Sequence, residues 1–189
     1  MKKKKIIKPR GYTLMESLVT MALFLAIILI TGSLYSLAQS YYNRAESELE
    51  LIQNARVSFD RMSREIRQSI DIASPLSADQ SQGSGEIVFQ NGHDSDTINY
   101  IYYYLDGSNL RRANLVYYFP EEPDIYVKYN SVNQAGEPPE QEVLEDRKVG
   151  EYFHSVNFWG DDGLVNISSE LMKEDSSFFL RTSVFSRNY

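Results

Sequence analysis

From Leu18 to Ile30 only Thr20 is polar, and from Tyr12 to Ala38 the only charged residue is Glu16. A spanning helix needs ~20 mostly apolar residues at ~1.5 Å each, so this run is long enough to cross a bilayer. The pattern then changes rather than stops. Tyr41, Ala45, Leu49, Ile52, Ala55, Phe59, Met62, Ile66, Ile70 and Ala73 recur at spacings of three and four, the apolar stripe of an amphipathic helix. Arg56, Asp60, Arg61, Arg64, Glu65 and Arg67 lie between them, on the side expected to face solvent. Pro75 ends the pattern, because the residue before a proline disfavours helix. The spacing predicts one helix from Thr13 to Ala73, about 90 Å long at ~1.5 Å per residue, with Gly32 and Ser33 as a place to bend.

Beyond it the period shortens. Ser74 to Gly85 is rich in Ser, Gln and Gly and reads as a loop. Strands are expected at Glu86–Gln90, at Thr97–Leu105 with its β-branched residues and tyrosines, and at Leu110–Ala113 after the turn Asp106-Gly107-Ser108-Asn109. Ile125–Tyr129 is a further strand, and Ala135–Glu142 reads as an exposed loop. His154–Trp159, Leu164–Met172 and Phe178–Phe185 are joined by Asp161-Asp162-Gly163 and Asp175–Ser177, a meander of three antiparallel strands. A helix followed by sheet is an α+β plan.

Charge divides the chain in the same way. Six basic residues (Lys2, Lys3, Lys4, Lys5, Lys8, Arg10) precede the apolar run with no acid among them. The whole chain has a net charge of -7; without those six, 13 basic residues face 26 acidic ones, a balance of -13. A basic leader stays cytoplasmic by the positive-inside rule, so the acidic remainder is expected to be exported. An acidic exported part argues against direct nucleic-acid binding, which relies on basic patches. The chain has no cysteine, so it forms no disulfide and no thiolate metal site. A carboxylate at the lip of a membrane segment, Glu16, is the first candidate for function; its plain alternative is snorkelling to the interface.

Catalytic patterns are absent: the chain holds no G-x-S-x-G, H-E-x-x-H or P-loop sequence. Asp94 and Asp96, and Asp161 and Asp162, have the Asp pairing of calcium loops but lack the rest of an EF-hand, so each reads first as a solvated turn. Tyr100, Tyr102, Tyr103, Tyr104, Tyr117 and Tyr118 are expected to divide between packing and an outward face, which could serve subunit contact, adhesion or sugar binding. Trp159 reads as core or as a subunit contact. No cofactor and no enzymatic activity are expected.

Gly11-Tyr12-Thr13-Leu14-Met15-Glu16 resembles the G-F-T-L-x-E signature of type IV prepilins and type II secretion pseudopilins. The one departure is Tyr12, where phenylalanine is commonest. The resemblance implies cleavage after Gly11 by a prepilin peptidase, N-methylation of Tyr12, and a role for Glu16 in subunit assembly, paired with a neighbour's terminal ammonium. Ala55, Arg56, Met62, Glu65, Ile66, Arg67 and Gln68 resemble the A-R-x-x-x-x-x-M-x-x-E-I-R-Q pattern of J-type minor pseudopilins and W-type minor pilins. Phe179–Asn188 resembles their terminal strand and Arg-Asn pair.

The implied organisation is a leader (1–11), a transmembrane or filament-core helix (12–38), its amphipathic continuation (39–73) and an exported β-rich domain (74–189), the pilin fold. The implied function is a minor subunit at or near the tip of a pilus-like filament, helping to initiate assembly in type II secretion or type IV pili. Its partners would be the peptidase, the other pilins or pseudopilins and the inner-membrane assembly platform. The alternative from the residues alone is a signal-anchored exported binding protein or enzyme.

Overall fold

The computed structural model describes residues 13–93 and 97–186. Contacts divide the chain into two units, Met1–Ala45 and Glu46–Tyr189. Helix α1 covers Leu14–Arg67, with no break at Gly32. In the first unit every described residue is exposed, the large apolar side chains from Leu14 to Leu37 included. This helix is long and apolar enough to cross a membrane.

In the second unit α1 buries Leu51, Ala55, Phe59, Met62 and Ile66, spaced four, four, three and four. Of the expected stripe, Ala55, Phe59, Met62 and Ile66 are therefore core. Leu49 is 66% exposed while Leu51 is fully buried. Two residues of α-helix rotate a side chain by about 200°, so only one of these leucines can face the core. Tyr41 is exposed as well.

The helix was expected to reach Ala73 and ends at Arg67. The Ser69 hydroxyl donates to the Ile66 carbonyl at 2.7 Å, which satisfies a last-turn acceptor and closes the helix. From Ile70 the backbone bonds to a strand instead. Ile70 N–H donates to Gln90, Ala73 N–H donates to Val88, and Gln90 N–H donates to the Asp71 carbonyl. Ile70 and Ala73 thus leave the helical stripe because neighbouring β backbone offers their amides partners before Pro75 is reached.

Two antiparallel sheets follow, giving an α+β unit. The first joins β1 (Ile87–Gln90), β2 (Tyr100–Asp106), β3 (Asn109–Phe119) and β4 (Glu122–Tyr126) in that order. β5 (Glu140–Gly150) pairs along β3 from Tyr118↔Glu140 to Leu110↔Gly150. β5 is absent from the expected strands. Its residues from Glu140 to Lys148 are all exposed, so it carries no inward–outward alternation, and its start lies within the expected loop Ala135–Glu142. The second sheet is the expected meander of β6 (Phe153–Asp161), β7 (Leu164–Lys173) and β8 (Ser176–Phe185). At the β6–β7 turn, Asp162 and Gly163 have φ of 49° and 78°, the positive pair of a tight hairpin turn. The core joins α1 to Ile87, Phe89, Ile101 and Tyr103 of the first sheet and Phe153, Phe158, Ile167 and Leu171 of the second.

Candidate functional site

The first turn of α1 holds the candidate carboxylate. Thr13 N–H donates to Glu16 Oε2 at 3.1 Å, and Glu16 N–H donates to Thr13 Oγ1 at 3.3 Å. This reciprocal pair is a capping box: the threonine satisfies one orphan amide of the helix end and the glutamate satisfies another. The negative side chain also lies at the positive end of the helix dipole. The Thr13 hydroxyl is 3.4 Å from the same Oε2. Farther along, Thr20 Oγ1 donates to the Glu16 and Ser17 carbonyls, Thr31 Oγ1 to Ile27 O and Ser33 Oγ to Leu29 O. These hydroxyls of the apolar run therefore need no water.

Gly11 and Tyr12, the cleavage and methylation candidates, lie outside the described residues, as do Asp94 and Asp96. Asp161 and Asp162 sit at the exposed β6–β7 turn, where Asp161 Oδ1 accepts from Asp162 N–H at 2.9 Å. The carboxylate thus serves the turn itself. Among the described residues no three His, Asp or Glu side chains converge as a metal site would require.

The tyrosines divide as the strand period demands. Tyr103 is fully buried facing α1, and Tyr100 is fully buried on the opposite face with Ala113 and Leu115. Tyr129 N–H donates to the Tyr100 hydroxyl at 3.2 Å, and the Tyr117 and Tyr129 rings meet Tyr100 edge-on. Tyr102 and Tyr104 stack on each other at 4.6 Å, half-exposed. Their hydroxyls donate to Glu86 and Asp146. Desolvation, then the Glu86 carboxylate, pushes the Tyr102 phenol up. The Arg111 guanidinium, 3.0 Å from Asp146, holds that carboxyl below its usual range. Trp159 is core-like at 3% exposure, with the Arg181 guanidinium 4.8 Å above its ring.

Three polar nodes were not foreseen. Glu65, expected on the solvated side, accepts from Arg112 Nε at 3.0 Å, from the Tyr103 hydroxyl at 2.7 Å and from Arg61 Nε at 3.4 Å. Glu50 accepts from Lys173 and from the Tyr152 hydroxyl. Ser186 Oγ donates to the Ser69 carbonyl at 3.1 Å, which ties the end of β8 to the end of α1. Only long-range pairing reveals these. The one signal in the sequence was a carboxylate, Glu65, flanked by Arg64 and Ile66, where the helical stripe passes close by.

A hollow of about 490 Å³ between the β3–β4 turn and residues 132–135 is lined by Phe119, Glu121, Glu122 and Val132. Its lining holds two carboxylates and no Ser, Cys, His or Lys. No protein-family model and no curated protein matches this chain.

Proposed function

We propose that this chain is a structural subunit of a pilus-like filament, of the minor pilin or pseudopilin kind. One observation carries the reading. A capping-box glutamate, Glu16, begins a 54-residue helix whose apolar first part has no protein cover, directly after a basic leader ending in Gly11. A plain membrane anchor has no use for a carboxylate at that position beyond the cap, since every charge near hydrocarbon is costly. A subunit that must leave the bilayer has one: the carboxylate can exchange the Thr13 amide for the terminal ammonium of a neighbour, fixing the height of one helix against the next.

In this reading a prepilin peptidase cleaves after Gly11 and Tyr12 is methylated. The helix then holds the protein once in the cytoplasmic membrane, with the acidic β unit exported. The subunit joins other pilins or pseudopilins through the assembly platform, at or near the filament tip. The blocks at 55–68 and 179–188 support the minor-subunit form, for type II secretion or type IV pili. Mass spectrometry of the membrane-extracted protein tests the reading. A mature N-terminus at Tyr12, with or without a methyl group, is expected. An intact leader overturns it and leaves a signal-anchored exported protein.

A further inference from the structure

The long sheet edges of this protein are treated unequally. The outer edge of β1 is bonded by residues 70–74, and that of β6 by Ser84 and Ser77, with Ser84 N–H to Phe158 O and Gly160 N–H to Ser77 O. β4 is only five residues long. β5 carries Glu140, Glu142, Glu145, Asp146, Arg147 and Lys148, the charges that keep an edge from pairing. β8 has none of these protections. It is ten residues, Ser-Ser-Phe-Phe-Leu-Arg-Thr-Ser-Val-Phe, with no acid and one base, and among the described residues nothing pairs its far side. That base, Arg181, is bent back over Trp159, away from the edge.

The ladder shows which backbone groups are free. Ser186 N–H donates to Gly163 O, and the register runs Leu164↔Phe185, Val165↔Val184 and onward. In an antiparallel pair, bonded positions alternate. The even residues of β8 therefore bond to β7, and Ser177, Phe179, Arg181, Ser183 and Phe185 turn their N–H and C=O outward. Their side chains are all exposed, Phe179 at 62% and Phe185 at 59%.

The geometry points to a second copy of this chain as the partner of β8, joined edge to edge about a two-fold axis at Thr182. In that register Phe179 faces the second copy's Phe185 twice over, and each Arg181 faces Ser183 rather than another arginine. The outward groups of the odd residues meet one another, as a bonded antiparallel pair requires. The pattern of β8 is thus complementary to itself. Such a contact is isologous and closes at two copies, so it does not itself propagate a fibre. It does not rest on the filament reading, and leader cleavage does not enter its test.

Cysteine cross-linking of the full chain in its membrane tests it, because the chain has no cysteine of its own. The two copies of Thr182 would form a non-bonded pair with Cα atoms ~4.5 Å apart, within disulfide range. Under mild oxidation T182C is expected to run as a dimer. S177C is expected to stay single, its copies lying ~33 Å apart along the strands. Should T182C disturb the fold, an equal mixture of R181C and S183C chains reports the same register and is expected to give the mixed dimer. F179D in the T182C background should cut the dimer roughly tenfold by removing the aromatic pairs. No dimer from either cysteine design, a dimer from S177C, or linkage to a different protein would overturn the pairing.

Discussion

Arg112 Nε stands 3.1 and 3.0 Å from the two carboxylate oxygens of Glu65, with 11% and 17% of the two side chains exposed. The pair joins α1 to β3. A nearly buried ion pair adds little net stability, but removing one partner leaves the other charge poorly solvated with only a longer contact, Arg61 at 3.4 Å for Glu65 or Glu145 at 4.0 Å for Arg112. R112A or E65A should therefore lose about 3–5 kcal/mol, read as the urea midpoint of the detergent-solubilised chain. The double replacement R112M/E65L should cost less than either. If it cost the sum of both, the two residues would be acting independently.

The acid limb of stability comes from carboxylates held charged. A hydrogen bond from Lys173, then one from Tyr152, lowers the Glu50 pKa below its ordinary 4.5, and Arg111 lowers Asp146 below its ordinary 3.8. A depressed folded value gives stability that is full above the ordinary value and is lost as pH falls through the folded one. Urea midpoints should hold steady down to about pH 4.5 and fall below it. E50Q should flatten that fall.

The alkaline limb has the opposite sign. Burial, then the Glu65 carboxylate, raises the Tyr103 phenol above its ordinary 10.0. A raised folded value gives stability that is full below the ordinary value and is lost as pH rises beyond it. Midpoints should decline above about pH 10, and Y103F should remove part of that decline.

Gly92 marks where the loop before β2 presses on the end of the helix. A Cβ there would lie 1.9 Å from the Gln68 carbonyl oxygen. Backbone cannot yield as a flexible side chain does, so G92A should cost about 1–3 kcal/mol and lower the midpoint accordingly. G107A, open all round but at a φ of 60°, should cost less, by strain alone.

Glu16 and Thr13 separate capping from assembly. T13A should weaken the helix start by about 0.5–2 kcal/mol, read as faster amide exchange at Glu16 and Ser17. E16A should leave the protein cleaved and membrane-bound but poorly incorporated into filaments. Normal entry of E16A into fibres would remove the assembly role from the carboxylate. G11L should block processing.

The apolar run and the meander β6–β8 could be read locally, because each depends on neighbours within a few positions. The end of α1 could not. Its last six expected residues are given up to Gln90 and Val88, partners about 15 to 20 residues away whose offer no periodicity records. β5 was hidden for a related reason: an edge strand exposed on both faces from Glu140 to Lys148 and rich in charge looks like a loop until β3 is beside it. Glu65 shows the same limit for chemistry. Its carboxylate belongs to the solvated pattern by spacing and to the interior by its bond with Arg112.

The connector between α1 and β1 touches both sheets, through residues 70–74 along β1 and through Ser77 and Ser84 along β6. It is the seam of the second unit, and its two rows of bonds are complete only when both sheets stand in place. Amides of that connector should therefore gain protection last in a refolding pulse. A single protease cut there would unlace the two sheets while leaving each hairpin whole.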